Sequence, residues 1–222
     1  MLTEKKRSRV FLVDDHPVVR EGLAIVLGQA GELLVCGMAA DAAEAMAAIQ
    51  METPDVIVAD LALPGLGGIE FIKQLKTRHP EIPVLVLSMH DENIYAERVL
   101  RAGAKGYLMK QEASAKVVAA VRQVLAGEIF VSEAVKGKIL LGLSKGAGGK
   151  NGFSEEQLTD RELEVYQWIG RGRGTRQIAE TLHLSKKTVE THCANIKKKL
   201  RLSSSPQLMS SAVRWMQEQN VA

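Results

Sequence analysis

The sequence of 222 residues has few of the features that disulfide-rich, zinc-binding or membrane proteins need. Its two cysteines, Cys36 and Cys193, lie 157 positions apart and outside any Cys-X-X-Cys or Cys/His cluster. This usage predicts neither a disulfide framework nor a zinc site. The basic N-terminal residues precede an apolar run that Asp14 ends too early for a signal peptide. Because no apolar stretch approaches membrane-spanning length, we expect a cytoplasmic protein with no membrane partner.

Charge is distributed unevenly along the chain. Residues 1–132 carry 14 Lys and Arg against 17 Asp and Glu, whereas residues 133–222 carry 15 against 9. A chain of this length can form one large domain or two smaller ones, and the change in charge favours two. The basic second half is the part to test for an anionic partner.

Short apolar runs rich in Val, Ile and Leu alternate with helix-period segments in the first half. The predicted strands are 10–13, 33–37, 56–59, 84–87 and 107–109. The predicted helices are 17–30, 42–51, 69–79, 93–102 and 114–125. This alternation is typical of parallel strands covered on both faces by crossover helices. It predicts an α/β fold with a doubly wound, five-stranded parallel sheet.

The second half has a different pattern. A short amphipathic segment at 133–143 predicts a connecting helix, and the Gly-rich and Lys-rich stretch 144–152 has the composition of a flexible linker. Residues 155–219 carry only helical periods and predict a small all-α domain of four helices. The expected division is therefore 1–130, a connection at 131–154, and a second domain at 155–222.

Residues with reactive or charged side chains follow four of the predicted strands: Asp14, Asp15, Asp60, Ser88 and Lys110. Because the carboxyl ends of parallel strands share one edge of a sheet, these side chains are expected to form one pocket. Neighbouring carboxylates repel and need a cation, and an all-oxygen cluster suits Mg²⁺. A carboxylate can also be a phosphoryl-accepting nucleophile. The alternative is that the aspartates only cap a helix or start a turn.

At this point the chain resembles the receiver domain of two-component response regulators over about residues 8–128. The matching motifs are Val13-Asp14-Asp15-His16, Asp60-Leu-Ala-Leu-Pro64-Gly65 with Gly68, Leu87-Ser88 and Gly103-Ala-Lys-Gly-Tyr107-Leu-Met-Lys110. Two departures are mild. Leu63 replaces a common Met, and Gln111 replaces the Pro that many receivers carry after the lysine.

The receiver resemblance implies that Asp60 accepts a phosphoryl group from a cognate histidine kinase. The Mg²⁺ site that it implies has Asp15, Asp60 and the backbone carbonyl of Ala62 as ligands, with Asp14 acting mainly through water. It implies no enzyme activity beyond Mg²⁺-dependent self-phosphorylation and self-dephosphorylation at Asp60. Lys110 and Ser88 would contact the phosphoryl group. Ser88 and Tyr107 resemble the switch pair, in which an inward Ser88 hydroxyl leaves room for the Tyr107 ring. The alternative for Tyr107 is a plain core aromatic.

The basic half contains helix-turn-helix spacing. Residues 175–182 predict one helix, and Ser185 is placed to cap a second helix whose apolar positions are Val189, Cys193, Ile196 and Leu200. The opposite face of that second helix carries cations and short polar residues suited to a major groove. The run Lys197 to Lys199 suggests phosphate contacts. The alternative is a solvated lysine-rich face.

Residues 156–219 resemble the LuxR-type helix-turn-helix of NarL/FixJ response regulators. The matching positions are Leu158-Thr-Asp-Arg-Glu162, Ile178-Ala179, Leu182, Leu184-Ser185, Thr188-Val189-Glu-Thr-His192, Ile196 and Lys199-Leu200. The resemblance implies double-stranded DNA as a partner, with Glu190, Thr191 and Ala194 at base edges. It implies backbone contacts for Lys187, His192, Lys197 and Lys198. An apolar stripe at Leu208, Ala212 and Trp215 is domain core, a dimer contact as the resemblance implies, or both. The resemblance also implies a homodimer when the protein is phosphorylated.

Together these features predict a DNA-binding response regulator in which phosphorylation of Asp60 switches dimerisation, DNA binding and transcription. An aspartyl hydrolase of the haloacid-dehalogenase type is the enzyme alternative. Such sites place a general-acid Asp two residues after the nucleophile, where this chain has Ala62. A third hypothesis is a regulator that binds DNA constitutively or responds to a protein partner without phosphate. The intact set of Asp15, Asp60, Ser88 and Lys110 argues against it.

Overall fold

The computed structural model describes residues 7–144 and 157–219. The chain divides into two compact units, Met1–Lys145 and Gly146–Ala222. Within the described ranges, no helix has the length and apolar character that crossing a lipid bilayer would require.

The first unit is built on one parallel sheet of five strands. The strands are β1 (Ser8–Val13), β2 (Leu33–Ala39), β3 (Val56–Ala59), β4 (Val84–Ser88) and β5 (Gly106–Met109). They lie in the order β2-β1-β3-β4-β5, and every neighbouring pair is parallel. The predicted doubly wound sheet is therefore confirmed. β2 extends two residues beyond the predicted 33–37, because its residues stay paired with β1 up to Ala39.

Five helices cover the two faces of the sheet, and their positions match the predicted ones to within two residues. They are α1 (Pro17–Gly28), α2 (Ala42–Met51), α3 (Gly68–Arg78), α4 (Glu92–Arg101) and α5 (Ala113–Leu125). Helices α1 and α5 pack together against the sheet, and the core between them contains Leu12, Leu27, Val58, Val117 and Val121. Helices α2, α3 and α4 pack side by side as neighbours. These apolar contacts hold the strand ends rigidly at one edge.

A sixth helix, α6 (Glu133–Ser144), occupies half of the predicted connection, where a helix at 133–143 was expected, and packs against α4 in the first unit. The chain reaches it by pairing Phe130 with the free edge of β5. Ser132 Oγ then donates a hydrogen bond to Glu92 Oε1 (2.7 Å), and Lys138 Nζ donates one to the Asn93 carbonyl (2.7 Å). The predicted linker 144–152 lies almost wholly outside the described residues. The boundaries at 130 and 154 stay predictions.

The described part of the second unit is all helical, as predicted. It contains α7 (Asp160–Gly170), α8 (Thr175–Thr181), α9 (Lys186–Lys199) and α10 (Ser205–Gln219). Thr159 and Glu162 form a capping box at the start of α7, and the Ser185 hydroxyl caps α9 by accepting from the Thr188 backbone N–H at 3.1 Å. Helix α7 packs on α9 and α10, and α8 packs on α9.

Candidate functional site

Backbone pairing brings the predicted site residues of the first unit to one edge of the sheet. Val13 and Ala59, the last residues of β1 and β3, are direct partners, and the Asp60 N–H donates to the Val13 carbonyl at 2.8 Å. Asp14 and Asp60 are therefore held side by side. β3 also pairs with β4, which ends at Ser88, and β4 pairs with β5, which Lys110 follows.

Lys110 joins two of the carboxylates. Its ammonium lies 2.6 Å from Asp14 Oδ2 and 2.7 Å from Asp60 Oδ2, and each of these aspartates is only 3% exposed. Burial alone would lower the pKa of the Lys110 ammonium, but the two carboxylates outweigh burial and raise it. Lys110 is therefore a fixed positive charge at the pocket, placed to meet an anion bound on Asp60.

The aspartates at the start of α1 do not cap that helix. The N-cap residue of α1 is His16, and no side-chain hydrogen bond caps its N-terminus, whereas the Asp41 and Asp91 side chains do cap α2 and α4. Asp14 Oδ1 instead accepts from the His16 N–H at 2.9 Å. The capping interpretation of Asp14 and Asp15 is therefore not supported, and their oxygens point to the pocket.

The pocket offers a donor set that fits a divalent cation. Ligand atoms of Asp14, Asp15, His16 and Asp60 all lie within 4.8 Å of one another. Asp15 Oδ1 is buried and accepts no hydrogen bond from the described residues. Asp60 Oδ1 accepts from the Leu61 N–H at 2.6 Å. Clustered carboxylate oxygens of this kind suit Mg²⁺, because the cation offsets their mutual repulsion.

The loop after Asp60 approaches the pocket closely. Ala62, predicted to offer its carbonyl, is an exposed residue at the rim. Behind it, the Gly68 N–H donates to the Leu61 carbonyl at 2.9 Å. A Cβ built on Gly68 would lie 2.5 Å from the Asp60 carbonyl oxygen and 2.5 Å from Leu61 Cα. Gly68 therefore lets α3 start directly against the residue that carries the central carboxylate.

The two predicted switch residues lie together under the rim. Ser88 is fully buried, and its Oγ accepts from the His90 N–H at 3.3 Å. The Tyr107 ring is also buried, and its hydroxyl donates to the His90 carbonyl at 2.7 Å. Burial raises the pKa of the Tyr107 phenol well above its ordinary value, so the phenol is a neutral hydrogen-bond donor. The ring is thus inside the fold in this structure.

The second unit presents the predicted DNA-binding residues on α9. Five of them are exposed: Lys187, Glu190, Thr191, Ala194 and Lys198. Val189 and Ile196 are buried on the opposite side, as predicted. Lys197 is partly exposed. The exposed side of α9 combines cations with short polar side chains, which suits the charged backbone and the base edges of a DNA groove.

His192 is placed differently from its neighbours on α9. It is half-buried, and its buried Nδ1 has no hydrogen-bond partner among the described residues. Burial, and then the charge of Arg161, lower the pKa of His192. The imidazole is therefore less suited than Lys187 or Lys198 to meet a phosphate.

Lys199 differs from the sequence expectation of three phosphate-contacting lysines. Its ammonium lies 2.6 Å from Oε2 of the buried Glu162, which also accepts from the Thr159 N–H at 2.8 Å. Lys199 therefore ties α9 to the start of α7 instead of facing outward. Helical spacing did not reveal this pair, because its two residues are 37 positions apart.

The apolar stripe of α10 is domain core. Leu208, Ala212 and Trp215 are all buried, and the Trp215 ring lies 5.6 Å from the Tyr166 ring of α7. Of the two interpretations of this stripe, the described contacts account for the intradomain one.

Family models match both units. A model of the response regulator receiver domain matches residues 10–122, and a model of the bacterial regulatory proteins of the luxR family matches residues 156–212. The transcriptional activator protein ExaE of Pseudomonas putida is 38% identical over 204 residues, covering 92% of this chain and 95% of ExaE. The transcriptional regulatory protein LiaR of Bacillus subtilis (strain 168) is 38% identical over 201 residues, covering 90% of this chain and 93% of LiaR.

A solved structure is similar over both units. RcsB from Salmonella enterica serovar Typhimurium, bound to promoter rprA in the presence of the phosphomimetic BeF3⁻, matches with a TM-score of 0.61 and 25% identity. The match covers 92% of this chain and 98% of the RcsB chain. The chain belongs to the DNA-binding response regulators of the NarL/FixJ type, with a receiver domain followed by a LuxR-type helix-turn-helix domain.

Proposed function

We propose that Asp60 is the phosphoacceptor of this response regulator and that its phosphorylation by a histidine kinase switches DNA binding. The observation that carries the proposal is the placement of Lys110 between Asp14 and Asp60 at the common edge of the sheet. The ammonium contacts two of the three clustered carboxylates, so an anion on Asp60 gains a cationic partner.

In the proposed transfer, an Asp60 carboxylate oxygen attacks the phosphorus of a phosphohistidine. The new O–P bond forms as the N–P bond breaks, and the kinase imidazole leaves with the electron pair and takes up a proton. Asp14, Asp15, Asp60 and the Ala62 carbonyl would hold Mg²⁺, which supplies positive charge against the phosphoryl oxygens. Lys110 and the Ser88 hydroxyl would bind two of those oxygens. The same pocket would support self-phosphorylation by small phosphodonors and self-dephosphorylation by water.

The switch would run through Ser88 and Tyr107 to the end of the receiver. The Tyr107 N–H donates to the Phe130 carbonyl at 2.8 Å, and Ser132 is hydrogen-bonded to Glu92 of α4. A Ser88 hydroxyl drawn toward the phosphoryl group would disturb the His90 segment on which the Tyr107 hydroxyl rests. The chain leaving the receiver is attached to both β5 and α4, so their displacement changes where α6 starts.

Phosphorylation can be tested on the full chain. Acetyl phosphate with Mg²⁺ is expected to add one phosphoryl group to the wild type and none to Asp60→Asn, as measured by intact mass. Asp55→Asn is a matched control, because Asp55 precedes β3 at the opposite edge of the sheet, where it accepts from the Arg9 N–H at 2.7 Å. Equal labelling of the wild type and Asp60→Asn would reject Asp60 as the acceptor.

The second unit is proposed to bind double-stranded DNA through α9, as a homodimer when Asp60 is phosphorylated. Glu190, Thr191 and Ala194 would meet base edges, whereas Lys187, His192, Lys197 and Lys198 would meet the backbone. A symmetric dimer would read paired half-sites about one helical turn apart. A chain that meets both a kinase and genomic DNA would act in the cytoplasm.

These contact classes predict different mutant behaviour. Thr191→Ala is expected to change sequence preference, with a discrimination loss of about 1–3 kcal/mol at one base pair. Lys197→Ala is expected to weaken binding to all sequences similarly and to reduce the salt slope by about 1. Fluorescence anisotropy with a specific and a scrambled duplex measures both, and Lys116→Ala on α5 is a control cation in the first unit. The reverse pattern would contradict the assignment of the two faces.

A further inference from the structure

The acidic pocket of the receiver contains a nitrogen donor that a Mg²⁺ site does not need. Nδ1 of His16 lies 2.6 Å from Asp15 Oδ1 and 3.3 Å from Asp14 Oδ1. The imidazole is 65% exposed, so it borders the pocket on the solvent side and not the core. Mg²⁺ prefers oxygen ligands, which leaves the position of this ring unexplained by the proposed phosphotransfer.

Local sequence aims the ring at the aspartates. Pro17 occupies the first turn of α1, and the residue before a proline is driven out of the helical region by the proline ring. His16 accordingly has φ −92° and ψ 109°. Its N–H is tied to Asp14 Oδ1 at 2.9 Å, which fixes the backbone beside the carboxylates. The ring therefore projects next to Asp15 from a constrained backbone and not from a free surface loop.

The spacing of the donor atoms fits a shared cation. Two neighbouring ligand atoms around a cation with bonds of about 2.1 Å lie about 3 Å apart at right angles. The two His16 distances, 2.6 and 3.3 Å, fall on either side of that value. Asp15 Oδ1 is also buried without a hydrogen bond from any described residue, although Nδ1 is so near. Two electron-rich atoms at that separation repel each other, and a cation bound by both would offset the repulsion.

We propose that His16 is a further ligand of the receiver's cation site and gives it a selectivity for first-row divalent ions such as Co²⁺ and Zn²⁺. Imidazole suits these borderline ions, whereas Mg²⁺ gains little from it. The inference rests on the proposed metal centre of Asp14, Asp15 and Asp60. The carboxylate oxygens would bind Mg²⁺, Co²⁺ or Zn²⁺, and His16 would make the pocket prefer Co²⁺ and Zn²⁺.

The test is a titration of the full, metal-free chain with MgCl2 and, separately, with CoCl2. His16→Asn is expected to weaken Co²⁺ binding by about tenfold or more while changing Mg²⁺ affinity by no more than about threefold. The visible absorption of bound Co²⁺, which responds to nitrogen ligation, is expected to change in the same variant. His79→Asn is the matched control, because His79 Nδ1 also faces a carboxylate, Glu81 Oε1 at 3.8 Å, but lies away from the pocket.

Three results would overturn the inference. Unchanged Co²⁺ affinity and spectrum in His16→Asn would show that the ring does not bind the ion. Equal weakening of Mg²⁺ and Co²⁺ would show a role in pocket structure, and a gain for both ions would show that His16 acts as a competing cation. If the metal centre itself does not exist, the result is different. The wild type and Asp15→Asn would then show the same affinity for Mg²⁺ and the same affinity for Co²⁺.

Discussion

Replacing Lys110 by methionine tests the electrostatics of the pocket most directly. The substitution keeps much of the apolar stem and removes the ammonium that donates to Asp14 at 2.6 Å and to Asp60 at 2.7 Å. Hydrogen bonds to charged groups contribute about 1.5–3 kcal/mol each, so their simple sum is about 3–6 kcal/mol. Both carboxylates are almost fully buried and would be left as neighbouring like charges.

Protonation limits this destabilisation. Once the ammonium is gone, taking up a proton on one of the two buried carboxylates removes their like-charge repulsion, and this costs less free energy at lower pH. We therefore expect Lys110→Met to lose about 3–6 kcal/mol at pH 7, the range set by the two hydrogen bonds, and less at pH 5. The sign follows from linkage, because the folded variant binds more protons than the unfolded chain, so its relative stability falls as pH rises.

Urea unfolding in metal-free buffer at pH 5 and pH 7 measures both values. Circular dichroism follows both units, whereas the two tryptophans, Trp168 and Trp215, both report on the second unit. Lys116→Met is the matched control. Lys116 forms an exposed pair with Glu112 on α5, so its loss is expected to cost less than about 1 kcal/mol at either pH.

Two outcomes would refute this reasoning. A loss below about 1 kcal/mol at pH 7 would mean that the two carboxylates do not depend on Lys110 for charge compensation. A loss of equal size at pH 5 and pH 7 would mean that packing, and not charge, explains the destabilisation.

Two further predictions concern stability. Gly68→Ala is expected to destabilise the first unit by about 1–3 kcal/mol in urea unfolding, because its Cβ would lie 2.5 Å from the Asp60 carbonyl oxygen, whereas a Cβ on Gly22 meets nothing within 4 Å and Gly22→Ala should not destabilise. Glu162→Gln is expected to cost about 1–3 kcal/mol in tryptophan-detected unfolding. Burial alone would raise the pKa of Glu162, but the hydrogen bonds from Lys199 and Thr159 outweigh burial and lower it. The extra stability of the wild type over Glu162→Gln is therefore present above about pH 4.5 and is lost as pH falls through the lowered pKa. A wild type that stays more stable than Glu162→Gln in acid would contradict this assignment.

The strands and helices of the first unit were predictable because strands that are buried on both faces are continuous apolar runs in the sequence. Runs such as Val56–Ala59 are wholly apolar, and they are separated by helix-period segments and turn residues. The capping of α9 by Ser185 was predictable for a similar reason, since one hydroxyl and the next backbone N–H groups suffice. In each case the pattern or hydrogen bond that decides the structure involves only residues a few positions apart.

The pairing of charged groups was not predictable in the same way. The run Lys197–Lys199 reads as three equivalent cations, yet Lys199 is bound to Glu162, while the exposed Lys198 faces solvent. Adjacent residues on a helix point about 100° apart, and only the position of α7 decides which of them meets a buried carboxylate. The stripe on α10 was ambiguous because apolar spacing does not distinguish a core contact from a dimer contact.

The sequence alone established which residues stand at the ends of the strands and which helix carries the polar, cationic face, because both follow from the period of apolar residues along a short segment. Tertiary structure decided which atoms meet. Lys110 reaches Asp60 across 50 positions because the parallel order β3-β4-β5 brings the carboxyl ends of β3 and β5 to the same edge of the sheet. Strand order and backbone direction act over distances that no local pattern records, and they turn separate side chains into one pocket.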